Sequence, residues 1–310
     1  YVLEALGPIE IVGANNQVYK INSNNVIDET LVKAYSQYAE RKERKGFLSD
    51  VAKGVWARML SGDFDTIGVL KQIGLSLDEK HMAVYSKYAE EQRLIERLGY
   101  SGSIKKTTGD YFQAVLQNHG ANKLDIYTYQ DIDYHVSLGK DGSAEVTATI
   151  SIENKAPASE LPDYVAGETN VVPRGYANIW LSVYVPKSTQ LQSAVENNKD
   201  LQVEIGKERD KTVYSQYIKI KPGSKTTVKF IYRIPDVIRD GDKGAEYVFD
   251  AQAQPVLNPP SFVFTLDAPD GFISVPEDCK REGRKRNKAV YRTWLTRDTE
   301  LRFGLAEKTN

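Results

Sequence analysis

The chain has 310 residues, 41% hydrophobic and 27% charged, and its Lys+Arg 41 against Asp+Glu 42 leave a formal net charge of -1. These are globular proportions that exclude a disordered chain, and the balanced charge excludes a global field recruiting nucleic acid or anionic membrane. The single cysteine, Cys279, rules out an internal disulfide, a CxxC redox pair and a cysteine-rich zinc site.

At this length two domains are expected. Apolar runs such as 179–185 fall far short of the roughly 20 residues a membrane-spanning helix needs. Tyr1-Val2-Leu3-Glu4-Ala5-Leu6-Gly7 reads as a last helical turn closed by Gly7. With no initiator Met and no signal peptide, this start suggests a fragment whose targeting segment lies upstream.

Residues 8–12 and 18–21 are short β-branched runs around Gly13-Ala14-Asn15-Asn16, the pattern of a hairpin whose Asn pair tolerates positive φ. The period then becomes helical. Asn22-Ser23-Asn24-Asn25 offers N-caps before Val26, Ile27, Leu31, Ala34, Tyr35 and Tyr38. A second helix carries Phe47, Leu48, Val51, Val55, Trp56, Met59 and Leu60 and ends at Ser61-Gly62. Asp63 or Asp65 caps a third, with Ile67, Leu70, Ile73 and Leu77 as its buried stripe. A brief strand is expected over 82–86, then a fourth helix from Tyr88 to Leu98, closed by Gly99.

From Tyr111 the period is two. Ile132, Tyr134, Val136 and Leu138 alternate with polar residues, Gly139-Lys140-Asp141-Gly142 turns the chain, and Ala144, Val146, Ala148, Ile150 and Ile152 alternate again. Similar runs occupy 177–185, 213–220, 226–233, 245–253, 261–268 and 288–303. Nineteen tyrosines suit strands that each keep one face wet. The expected fold is α+β: a helix-rich half-domain with a short β-hairpin over 1–120, then an immunoglobulin-like antiparallel β-sandwich over 121–310.

Candidate chemistry is sparse. Asp131, Asp133 and His135 share one strand face, yet same-face side chains start nearly 7 Å apart, and alternation already explains them as solvent-facing. His81 and His119 stand alone in sequence. No nucleophile elbow, Gly-rich phosphate loop or His-Glu-x-x-His helix is present, and no metal or cofactor is expected. Two basic clusters remain. Arg41 and Arg44, with Lys42 and Lys45, sit at a helix start where backbone N–H groups favour an anion; the interspersed Glu40 and Glu43 make a salt-bridged solvent face the plainer reading. Lys280, Arg281, Arg284, Lys285, Arg286 and Lys288 form a loop patch able to touch an anionic polymer, or a charged tip keeping an edge soluble.

Leu3-Glu4-Ala5-Leu6-Gly7-Pro8-Ile9, Leu98-Gly99-Tyr100-Ser101-Gly102, Gly109-Asp110-Tyr111-Phe112, and above all Asn118-His119-Gly120-Ala121-Asn122-Lys123-Leu124-Asp125-Ile126-Tyr127 together resemble a bacterial envelope family, domain of unknown function 4012, in its C-terminal part. The likeness runs in order from Leu3 to about Pro269. It implies an outward-facing protein on the bacterial envelope, anchored through an N-terminal segment upstream of this chain, and it supplies no catalytic residues. The first 60 or so residues also resemble, more weakly, the LytR-CpsA-Psr glycopolymer ligases. Glu40-Arg41-Lys42-Glu43-Arg44-Lys45-Gly46-Phe47 is similar in spacing to the helix whose arginines bind pyrophosphate there, with Lys45 in place of a glutamine.

These readings converge on a non-catalytic extracellular module with a structural, assembly or binding role. Its expected partners are the upstream half of the same protein or another envelope protein, with an anionic cell-wall polymer as a further ligand and no nucleic acid. The alternative is part of a phosphotransferase attaching anionic glycopolymers to the cell wall, with Arg41 and Arg44 as the anion site.

Overall fold

The computed structural model describes residues 1–13, 16–38, 40–167, 172–241, 244–269, 279–282 and 287–305. It is a mixed α/β chain of two compact units. One comprises Tyr1–Gly102, Ala121–Leu124 and Pro157–Gly175; the other comprises Ser103–Gly120, Asp125–Ala156 and Tyr176–Asn310.

In the first unit α1 (Val2–Leu6) stops at Gly7, whose φ of 75° suits a residue without Cβ. β1 (Ile9–Val12) and β2 (Val18–Ile21) pair antiparallel from Ile9↔Ile21 to Val12↔Val18. Asn16 takes the positive φ of the turn; Ala14 and Asn15 lie outside the described residues. No third strand joins this hairpin among the described residues. α2 (Val26–Asp28) and α3 (Ala34–Gln37) flank a π-helical turn at Glu29–Lys33. Asn25 takes the N-cap position of this helix without a side-chain cap bond. Its carboxamide instead accepts from Asn22 N at 2.8 Å and donates to Lys20 O at 2.9 Å, tying the hairpin end to the helix start.

α4 (Arg41–Leu60), α5 (Thr66–Asp78) and α6 (Ala89–Arg97) follow, with Gly62 and Gly99 in the left-handed region after α4 and α6. A single turn, α7 (Asp163–Ala166), returns later in the chain. The strand expected over 82–86 is absent; Val84 N makes one backbone bond there, to Tyr100 O at 2.8 Å. Leu3, Ile9, Ile11, Ile21, Ala34, Tyr38, Phe47 and Val51 form a small core. Gly54 lets α4 settle on the hairpin, since a Cβ there would sit 3.0 Å from Ile11 Cγ2 and 3.1 Å from Ile9 Cδ1. The stripe expected to be buried on α5 is so only in part. Val69 and Ser76 are fully buried, Ile73 and Leu77 are half-buried, and Ile67 and Leu70 are 66% and 64% exposed.

The second unit holds β3 (Asp110–Asn118), β4 (Thr128–Leu138), β5 (Ala144–Asn154), β6 (Ala177–Pro186), β7 (Gln190–Glu196), β8 (Lys199–Asp200), β9 (Glu204–Glu208), β10 (Lys211–Ile220) and β11 (Ser224–Ile234). It continues with β12 (Ile238–Gly241), β13 (Gly244–Ala251), β14 (Ser261–Asp267), β15 (Lys280–Glu282), β16 (Lys288–Trp294) and β17 (Thr299–Gly304). One sheet runs β12-β13-β3-β6-β10-β9, with β17 also on β13; the other runs β15-β16-β14-β4-β5-β11-β7-β8. Their inner faces share one core, in which Phe112 lies 4.9 Å and Phe249 4.7 Å from Tyr134 between ring centroids.

Two features depart from the expected all-antiparallel sandwich. β13 pairs with β3, and β14 with β4, in parallel. Parallel neighbours need a long crossover, and here the intervening strands supply it. The boundary expected near Gly120 also moves. β3 starts at Asp110 and pairs with β6 and β13, so the second unit begins before that glycine, while Pro157–Gly175 returns to the first unit.

Candidate functional site

Arg41 and Arg44 stand three residues apart in the first turn of α4, which projects them to neighbouring sides of the helix. Arg41 is exposed. Arg44 is half-buried: its Nη1 donates to Tyr38 O at 2.8 Å, and its guanidinium lies 5.2 Å from the Tyr35 ring and 5.6 Å from the Tyr164 ring. Those two rings stack at 4.7 Å. Such cation–π and carbonyl contacts are structural anchorage for an arginine. Neither Glu40 nor Glu43 forms a described ion pair with either arginine.

The strand triplet is dispersed by its partners. Asp131 Oδ2 accepts from Lys225 Nζ at 2.8 Å and His135 Nε2 lies 2.6 Å from Asp267 Oδ2. Among the described residues no group of three His, Cys, Asp or Glu side chains is placed to hold a metal. His119 packs edge-on against Tyr217, and His81 lies 5.1 Å from the Tyr1 ring. Cys279 packs partly buried against the sandwich core. In the second basic cluster Lys280 and Lys288 fall on β15 and β16, whereas Arg284, Lys285 and Arg286 lie outside the described residues.

Two other features of these units carry more physical weight than the clusters singled out above. The first is the outer surface of the helices. Trp56 and Leu60, four residues apart on α4, are 61% and 71% exposed, opposite the face that buries Phe47 and Val51. Ile67, Leu70 and Leu75 on α5 are exposed too, as are Leu94 on α6 and Leu98 just after it. Single exposed apolar residues need no explanation, whereas apolar positions repeated at helical spacing form an exposed apolar face. Periodicity could identify these residues; it could not say which side of the helix finds a partner within this chain.

The second is a carboxylate inside the sandwich. Asp110, fully buried, accepts from Tyr134 Oη at 2.8 Å, Tyr247 Oη at 2.5 Å and Tyr111 N at 2.7 Å, and Tyr232 Oη donates onward to Tyr134 Oη at 3.0 Å. Burial pushes the Asp110 carboxyl up to about 7 against the pull of those donors. Tyr134, Tyr232 and Tyr247 are held well above the usual phenol range, chiefly by the same burial. The tyrosines expected at wet faces are therefore partly core residues: Tyr111, Tyr134, Tyr214, Tyr232 and Tyr247 are among the largest fully buried side chains. A lone Asp at the head of an aromatic strand is the only sequence trace of this network.

No family model and no curated protein matches the chain. Among solved structures it is similar to a Legionella pneumophila protein described as a "putative nutrient binding protein", at 7% identity and a TM-score of 0.42, covering 64% of this chain and 71% of that one. It is also similar to yeast LTA4 hydrolase (8% identity, TM-score 0.36, 62% of this chain and 31% of that one). An M1 zinc metallopeptidase of Deinococcus radiodurans gives 11% identity and a TM-score of 0.33, over 57% of this chain and 42% of that one. The chain thus spans less than half the length of these two enzymes, and no activity is carried over from any of the three.

Proposed function

We propose that the chain is a non-catalytic module of the bacterial cell envelope. Its helical unit docks onto another protein surface, first of all the upstream portion of the same polypeptide, and its strand-rich unit acts as an enlarged immunoglobulin-like spacer. The observation that carries this reading is the outward apolar face of α4 and α5, where Trp56, Leu60, Ile67 and Leu70 are all more than 60% exposed. Burying each such side chain is worth about 1.5–3 kcal/mol, enough together to hold a stable interface. The hairpin adds to it: β1 and β2 have no further strand partner among the described residues, and Val12 and Val18 are 60% and 66% exposed. Two strands alone are marginal in water.

Trp56 reports on the idea directly. In a variant with Trp180 and Trp294 replaced by Phe, acrylamide quenching of Trp56 should fall sharply in the intact native polypeptide relative to this chain alone. Equal quenching in both rejects the docking reading. The ligase alternative finds less support, because Arg44 is already engaged by Tyr38 O and two aromatic rings. If Arg41 and Arg44 did grip one pyrophosphate, replacing both by Ala would weaken an undecaprenyl-pyrophosphate analogue by at least about tenfold. Unchanged binding eliminates that alternative.

A further inference from the structure

The pairing of β13 with β17 sets Asp250 directly opposite Glu300. Both side chains project away from the sandwich core, which takes Phe249, Ala251, Leu301 and Phe303 from the alternate positions. Carboxylates directly opposite each other repel, and Asp250 is only 5% exposed. Their shared partner is Lys105, on the segment entering β3. Its Nζ donates to Asp250 Oδ1 and, at 3.1 Å, to Glu300 Oε2.

The surroundings hold each of these groups in place. The buried Gln252 carboxamide accepts from Lys105 N at 2.9 Å and Tyr111 Oη at 2.6 Å, and donates to Ser103 O at 3.0 Å. It thereby clamps the backbone that carries Lys105 against β13. Arg302 Nε donates to Glu300 Oε1 at 2.7 Å, which leaves Oε2 for Lys105. An amine, a buried carboxyl and a second carboxyl touching the same nitrogen are the parts of an amide-forming site: nucleophile, electrophile and proton carrier.

We propose that Lys105 and Asp250 join in an intramolecular isopeptide bond, with Glu300 as the acid–base group. Glu300 takes one proton from Lys105 Nζ, the freed amine attacks Asp250 Cγ, and a second proton leaves the nitrogen as the C–N bond closes. One Cγ–O bond of Asp250 breaks, and that oxygen departs with both protons as water. Ammonium and carboxylate thus become one secondary amide, and no oxidant or cofactor is consumed. Burial pushes the Asp250 carboxyl up, toward the protonated form that an amine can attack. Burial also disfavours the Lys105 ammonium, but the two carboxylates outweigh it and hold that group up; Glu300, against its own partial burial, is held down by Lys105 and Arg302. The resting pair is therefore ionic and attack is slow. A self-linking site has to react only once, however, and groups held in contact act at effective molarities of about 10⁵–10⁸ M, which draws the condensation forward in water. With one cysteine in the chain, no disulfide can pin this segment; the amide does so. The inference is independent of the docking reading, since every residue invoked belongs to the strand-rich unit.

Intact mass spectrometry of the folded chain tests the bond. The wild-type chain should weigh one water less than its sequence, and a tryptic digest should yield a branched peptide joining Lys105 to Asp250. Lys105→Arg, which keeps the charge, should restore the full mass. Glu300→Gln should slow bond formation by about a hundredfold or more, the usual loss on removing an acid–base group, with an unchanged circular dichroism spectrum. A wild-type chain at full mass, with no branched peptide, overturns the proposal. A missing water that persists in Lys105→Arg overturns it as well, and linking at the wild-type rate in Glu300→Gln overturns the role given to Glu300.

Discussion

The two units use their apolar side chains in opposite ways. In the strand-rich unit nearly every inward position of two sheets is closed off, and rings such as Phe249 and Phe264 are fully buried, 4.6 Å apart. In the helical unit the clustered core lies in the seam between α1, the hairpin, α3 and α4, while α5 leaves Ile67 and Leu70 in water. A sheet pair buries both inner faces by closing on itself. A helix with apolar residues on two sides needs two partners, and within its unit α4 has one such face covered. The difference teaches that one unit closes its apolar faces on itself and the other leaves an apolar helix face in water, the face on which the docking proposal rests.

The largest effect that could break this comparison is a core truncation. Phe264→Ala should destabilise the strand-rich unit by about 3–5 kcal/mol through lost burial and the cavity left among Phe249, Tyr247 and Phe303. Urea denaturation monitored by circular dichroism measures it. A loss below about 1 kcal/mol would show that this core is not closed packed.

Next in size is a pH effect. The Asp110 carboxyl is raised from 3.8 to about 7 in the folded chain, mainly by burial. Its folded form therefore holds the proton more tightly than the unfolded form, and stability falls as pH rises. The contribution is complete below about 4 and lost by about 7, a change on the order of 4 kcal/mol. Asp110→Asn should flatten this slope between pH 4 and 7 while retaining an acceptor for Tyr134. A wild-type stability that rises steadily over the same interval contradicts the buried-carboxylate account.

Much of this architecture was legible in the residues themselves. Gly7, Gly62 and Gly99 mark helix ends because a residue without Cβ adopts positive φ freely, and alternation locates β4, β5, β6, β10 and β11 to within a few residues. Periodicity says which residues share a face, but not whether that face meets anything; on α5 Ile67 and Leu70 stay exposed while Val69 and Ser76, off the expected stripe, are buried. The parallel pairs depend on which distant strands become neighbours, which no local pattern encodes.

A smaller effect sharpens the comparison at the surface of the strand-rich unit. Lys225→Ala removes the partner of Asp131 on an outer strand face, with both side chains substantially exposed. Water screens such a pair, so the loss should be below about 1 kcal/mol and shrink further in high salt. A larger, salt-independent loss would mean that this face is covered, as the α5 face is proposed to be.

The smallest effect is the most telling. Replacing Ile67 and Leu70 with Ser should change the stability of this chain alone by no more than about 0.5 kcal/mol, since both side chains already sit mostly in water. Buried leucines and isoleucines behave otherwise, losing about 2–5 kcal/mol on truncation. The same double substitution made in the intact polypeptide should cost several kcal/mol if α5 is covered there, because two interface anchors are then removed from an apolar contact. Thermal denaturation of both proteins, with and without the substitutions, separates the cases. A large loss in this chain alone would mean that its own residues cover α5, and a negligible loss in both would leave the apolar stripe without an interface to explain it.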